Sequence, residues 1–153
     1  MVSAKERDDL ALPLMGRGVE SAAPPGPAVL VVDDDPASEA LTRATIGGGG
    51  YAVAAESAGD EALRLVHTLL VRLVVSELYI PCTAGRCVVA ALKQDRSRLP
   101  HLRVLVYTRH GATDDLEWAL GVGADAVVPK HARGGVLLRE VRRLLRDAGG
   151  LVA

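Results

Sequence analysis

The chain contains no phenylalanine, one tryptophan and three tyrosines in 153 residues, so its interior must be built from Val, Leu, Ile and Ala. It has two cysteines, Cys82 and Cys87, too few for a disulfide framework and in keeping with a reducing, cytoplasmic setting. Their Cys-x4-Cys spacing lacks a second pair or an adjacent histidine, which makes a poor zinc site. No run approaches 18 consecutive apolar residues, so no membrane-spanning helix is expected. Residues Met1 to Asp9 are too charged for a secretory signal, and Ala11 to Met15 is too short to supply its apolar region. A net charge of −1 creates no field that would draw the chain to nucleic acid or a membrane surface. With 49% apolar and 24% charged residues, one self-supporting domain is the expectation.

Residues 1–27 read as a disordered tail closing on Ala23-Pro-Pro-Gly-Pro27, which cannot continue a helix. The folded domain is expected over 28–148, with a short tail at 149–153. Short apolar runs recur at Ala28–Val32, Tyr51–Ala55, Leu73–Val75, Val104–Tyr107 and Ala126–Val128. Continuous rather than alternating runs suit strands covered on both faces. Helical spacing lies between them. The first helix is expected from Pro36 to Ile46 and the third from Gly85 to Gln94. The second carries Ala62, Val66, Leu69 and Leu70, preceded by Ser57-Ala-Gly-Asp60 with capping-box spacing. The fourth carries Leu116, Ala119 and Leu120 behind a Thr113 cap, and the last carries Leu137, Leu138, Val141, Leu144 and Leu145. This alternation predicts an α/β, (βα)5 doubly wound fold with a five-stranded parallel sheet. The strand order 2-1-3-4-5 is borrowed from flavodoxin-like folds, whose ligand crevice lies at the strand carboxyl ends.

At those ends the sequence places Asp33-Asp34-Asp35, then Ser76-Glu77, then Thr108-Arg109, then Pro129-Lys130. Carboxylates so clustered repel one another unless a cation sits among them, and Mg²⁺ accepts one or two carboxylates with phosphate and water. A lysine and a threonine opposite could hold the remaining phosphate oxygens. This is the outline of a phosphoryl-binding site. The run Gly47–Gly50 is not part of it, because it closes a helix and leads into a strand.

The stretches Val29–Pro36, Leu73–Pro81 with Gly85, Val104–Thr108 and Gly123–Lys130 resemble the receiver domain of two-component response regulators. The resemblance covers Ala28 to about Asp147. It implies that Asp33 and Asp34 bind Mg²⁺, and that Thr108 and Lys130 form the phosphoryl pocket. The phosphoacceptor of that family is an aspartate four residues before a proline; here the position is Glu77. Glutamate is longer by one methylene, about 1.5 Å, and misplacement on that scale can cost about 10²-fold in rate. The same extension carries negative charge toward Thr108 and Lys130, so Glu77 reads as a partial imitation of the phosphorylated state. Drift at a dead site is the alternative.

Other positions also depart from the family pattern. Arg109 stands where a small residue usually follows the hydroxyl and borders the phosphoryl pocket, its guanidinium pairing with Glu77 or with the acidic cluster, or lying in solvent. Val127 replaces the usual aromatic switch, and Tyr107 cannot substitute because neighbouring strand residues face opposite ways. His131 follows Lys130 where a proline often stands.

The expected function is a stand-alone, atypical receiver that binds a signalling protein, with weak Mg²⁺ binding and no enzymatic activity. Its partner would be a histidine kinase, another signalling protein or a second copy, met on the face of the fourth helix, fifth strand and fifth helix. Trp118 lies about 200° around the helix from Leu116, which turns it toward solvent, half-buried packing being the alternative. Arg139, Arg142, Arg143 and Arg146 would form the rim, although a merely solvated face is the blander reading. No helix-turn-helix follows, so direct nucleic-acid binding is not expected. One alternative is a conventional phosphoacceptor in a phosphorelay. A more distant one is a phosphatase of the haloacid dehalogenase type, opened by Asp33-Asp34-Asp35 but short of the later metal-binding acids.

Overall fold

The computed structural model describes residues 26–84, 87–133 and 135–148. Five strands, β1 (Val29–Val32), β2 (Val53–Glu56), β3 (Leu73–Ser76), β4 (Arg103–Thr108) and β5 (Ala126–Pro129), form one parallel sheet in the order β2-β1-β3-β4-β5. Between and after them run α1 (Pro36–Gly48), α2 (Gly59–Leu69), α3 (Val88–Gln94), α4 (Thr113–Gly121) and α5 (Val136–Ala148). The expected fold class and strand order are both observed. The expected tails lie outside the described residues, apart from positions 26 and 27.

The continuous apolar runs have the cause inferred for them. In β1 every residue is at most 1% exposed, because adjacent side chains enter different cores on the two faces of the sheet. Leu30, Val32, Val74, Val104 and Val106 pack with α2, α3 and α4 through residues such as Val66, Val88, Leu92 and Ala119. Val29, Val31, Leu73, Val75, Leu105 and Val128 pack instead with Ile46 of α1 and with Leu137, Val141 and Leu144 of α5. Tyr107 lies against this second core and Val127 against the first, so Tyr107 faces away from α4.

Several element ends differ from expectation. Pairing of β2 starts only where β1 starts, at Val29 with Val53, so the strand runs Val53–Glu56 rather than from Tyr51. Helix α1 runs two residues past Ile46 and closes on Gly49. Its start at Pro36 is as expected, and Asp35 caps it, accepting a bond from the Ala37 N–H at 3.1 Å. The Ser57 capping box does not form. Glu56 Oε2 accepts the N–H groups of Ser57 and Ala58 instead, each at 2.9 Å, and Ala58 is the cap residue. Thr113 is likewise not the cap of α4; Ala112 is, and Thr113 is already helical. The third helix begins at Val88, three residues later than expected, after positions outside the described residues.

Helix α4 corrects a larger expectation. Ala119 is fully buried, but Leu120 is 55% exposed, and Trp118 is half-buried against the first core rather than turned to solvent. The small Ala119 is the contact with the sheet, which lets the broad indole on its neighbouring side reach inward. Tyr79 supplies the other wall, with ring centroids 5.8 Å apart.

Candidate functional site

Parallel strands bring all their carboxyl ends to one edge. Asp33 follows β1, Glu77 follows β3, Thr108 ends β4 and Lys130 follows β5. The backbone sets each in place: the Glu77 N–H donates to the Val32 carbonyl at 2.9 Å, and the Lys130 N–H to the Thr108 carbonyl at 2.7 Å. The side chains lie deep, with Asp33 4%, Glu77 3% and Thr108 0% exposed. The four residues predicted from separate segments therefore meet.

Glu77 is held from every side. Its Oε1 accepts from the Thr108 hydroxyl and from the Leu78 N–H at 2.7 Å. Its Oε2 lies 3.0 Å from Lys130 Nζ and accepts the Arg109 N–H at 3.3 Å. The Thr108 hydroxyl, donating to Glu77, accepts in turn from the His110 N–H at 2.9 Å. Burial opposes the Glu77 charge, but the bonds from Thr108, Leu78 and Lys130 outweigh it and hold the carboxyl below its ordinary range. The same balance acts on Asp33: burial raises it, while Lys130, the Asp35 N–H and Ser38 lower it further. Lys130 is the mirror case. Burial disfavours its charge, yet Asp33 and Glu77 together raise it above the usual lysine range.

The resemblance implies Mg²⁺ at Asp33 and Asp34, and the donor set tests that. Asp33 Oδ1 accepts the Asp35 N–H at 2.9 Å, and Oδ2 takes both the Ser38 hydroxyl at 2.8 Å and Lys130 Nζ at 2.7 Å. Asp34 is exposed and stands apart from this network. Among the described residues no group of three or more His, Cys, Asp or Glu side chains is placed to hold a metal ion. As arranged, these residues do not fit a divalent ion, because the Lys130 ammonium lies between the carboxylates that would bind it. A cation at Asp33 must first displace that ammonium.

The Arg109 guanidinium reaches Asp35, at 3.7 Å, and is largely exposed; only its backbone N–H touches Glu77. The arginines of α5 divide. Arg139, Arg142 and Arg146 are exposed, whereas Arg143 is half-buried and bonds Glu140 Oε1 through Nη2 at 2.8 Å. Sequence reasoning missed Ser38, whose place one helical turn after Asp35 was the available signal. It also missed Tyr79. The Tyr79 hydroxyl donates to Asp115 of α4, and its ring meets His110 edge-on at 5.0 Å, so the segment after Glu77 is tied to α4. No spacing rule connects residues so far apart in sequence.

The chain matches the response regulator receiver domain over residues 29–142. It is 34% identical over 119 residues to the transcriptional activator protein ExaE of Pseudomonas putida, covering 76% of this chain and 54% of that one. It is 33% identical over 118 residues to the DNA-binding response regulator MtrA of Mycolicibacterium smegmatis, covering 77% and 50%. The chain thus spans about half the length of these relatives. Among solved structures, a CheY-like receiver domain protein from Methanospirillum hungatei aligns with a TM-score of 0.68 at 21% identity, over 80% of this chain and 95% of that one. The BeF3-activated receiver domain of RstA from Klebsiella pneumoniae aligns with a TM-score of 0.68 at 24% identity, over 77% and 97%. Those structures speak for the fold, and the sequence match speaks for the family. With the fold, the strand-end residues and the match over most of its length in agreement, the chain belongs to the response regulator receiver domain family of two-component signalling proteins.

Proposed function

We propose that this receiver domain is a protein–protein interaction module whose working face is set without phosphorylation, Glu77 imitating the charge of the phosphorylated state. The observation that carries this reading is the double engagement of Glu77. Its own carboxylate takes the Thr108 hydroxyl and the Lys130 ammonium, the two groups that the family resemblance assigns to the phosphoryl oxygens. The site is thereby filled from within. Arg109 at the mouth, paired with Asp35, adds bulk where a phosphodonor would approach.

The working face on this reading is α4, β5 and α5. It offers the exposed Arg139, Arg142 and Arg146 beside Arg143, with Leu120 and the outer edge of Trp118 as apolar contacts. A histidine kinase, another signalling protein or a second copy would meet it there. DNA binding is named for two relatives, and this chain spans only about half of each of those proteins. Among the described residues no helix is long and apolar enough to cross a membrane.

Incubation with acetyl phosphate and Mg²⁺, followed by intact mass spectrometry, tests the reading. The expected result is a single unmodified species. An acid-labile phosphoryl group on Glu77 would return the chain to the conventional phosphoacceptors of a phosphorelay.

A further inference from the structure

The acidic crevice already contains a cation. Lys130 Nζ lies 2.7 Å from Asp33 Oδ2 and 3.0 Å from Glu77 Oε2, with its side chain 16% exposed. Two buried carboxylates at the ends of β1 and β3 are thus bridged by one ammonium from the end of β5. Beside them a cleft of about 290 Å³, lined by Asp35, Ser38, Leu41, Thr42, Tyr107 and Lys130, opens to solvent. Neither Asp33 nor Glu77 lines it, and what meets a metal at those carboxylates is the ammonium already held by both.

We infer that Lys130 is the resident cation of this crevice and competes directly with divalent metal for Asp33 and Glu77. Coulomb's law gives the direction. A metal entering while Lys130 stays meets a positive charge only a few ångströms away, and a metal that displaces it must strip the ammonium from both carboxylates at once. Both routes weaken metal binding in the native chain. Removing the ammonium leaves Asp33 and Glu77 as two buried negative charges facing one another, which a divalent ion relieves. Lysine in this chain thus works as a built-in substitute for the metal. The inference does not rest on whether Glu77 accepts phosphate; the phosphodonor experiment decides that separately.

The test is a Mn²⁺ titration of the full chain, followed by paramagnetic broadening of the amides at residues 33–35 and 77–78. It compares the native protein with Lys130→Met, which keeps the length of the stem and removes the charge. Lys130→Met should bind Mn²⁺ about tenfold more tightly than the native chain, or better. Should Lys130→Met be too unstable to titrate, its thermal melt in MgCl₂ is compared with one in NaCl of equal ionic strength. Selective recovery in MgCl₂ supports the competition. The Lys130→Met, Glu77→Gln double variant carries one carboxylate fewer and should bind Mn²⁺ less tightly than Lys130→Met alone. Equal or weaker Mn²⁺ binding by Lys130→Met, or recovery that NaCl matches, overturns the inference.

Discussion

Lys130→Met should lower the unfolding free energy by about 3 kcal/mol, the cost of leaving two buried carboxylates without the charge between them. For a domain of this size that is a fall of roughly 10 °C in Tm. The effect is large because Asp33 and Glu77 are 4% and 3% exposed, so water cannot replace what Lys130 supplies. Chemical denaturation of both proteins measures it, and a change under about 0.5 kcal/mol, the surface-substitution range, would make Lys130 an ordinary solvated lysine.

The pH dependence follows with a definite sign. Asp33 and Glu77 are held below their ordinary values in the folded state, so the stability they contribute is complete above the usual carboxylate range. It is lost as pH falls through their folded values. Lys130 is raised, so its contribution is complete below the usual lysine range and is lost as pH rises through its folded value. The cluster therefore gives a plateau across neutral pH with a decline on each side. In Lys130→Met the plateau should fall and the acid limb should flatten, since protonation then relieves repulsion.

Gly59→Ala should be nearly as costly, by about 3 kcal/mol, although Gly59 belongs to no charged network. Helix α2 begins at Gly59, and a Cβ there would lie 2.0 Å from the Pro81 carbonyl oxygen and 3.1 Å from Val88 Cγ2. The first contact is with backbone, so no side-chain rotation relieves it, and either the helix or the loop after Glu77 must move. That loop runs from Glu77 to the start of α3, where the Val88 N–H donates to the Ile80 carbonyl at 2.9 Å. Displacing it would loosen the site together with the fold. Urea unfolding gives the stability loss, and an Ala variant within about 0.5 kcal/mol of native would mean that the loop yields freely.

The fold was legible in the sequence because buried parallel strands write themselves as unbroken apolar runs, and Val29–Val32 and Leu73–Val75 could hardly be read otherwise. The convergence of Asp33, Glu77, Thr108 and Lys130 was legible for a related reason: parallel strands put all carboxyl ends on one edge. What pairs with what at that edge was not. Sequence spacing could not show that Lys130 bridges Asp33 and Glu77, that the Arg109 guanidinium goes to Asp35, or that Tyr79 reaches Asp115. Those contacts depend on side-chain reach across three dimensions. The orientation of α4 was misread because periodicity gives an apolar stripe but not which residue seats on the sheet. There Ala119 does, and Trp118 rather than Leu120 turns inward. The Ser57 capping box failed for a simpler cause: Glu56, from the end of β2, takes the Ser57 and Ala58 N–H groups, and the chain enters the helix one residue later, with Ala58 at the cap.

On the proposed function Glu77 already holds Thr108 and Lys130, so that a phosphoryl group has nothing left to set. Amide chemical shifts of the native chain, recorded with and without beryllofluoride and Mg²⁺, test it most directly. The expected result is no shift along α4, β5 and α5, with any change confined to residues around the exposed Asp34. A concerted shift of Thr108, Trp118 and the α5 amides would contradict it, because the face would then be one that phosphorylation still switches.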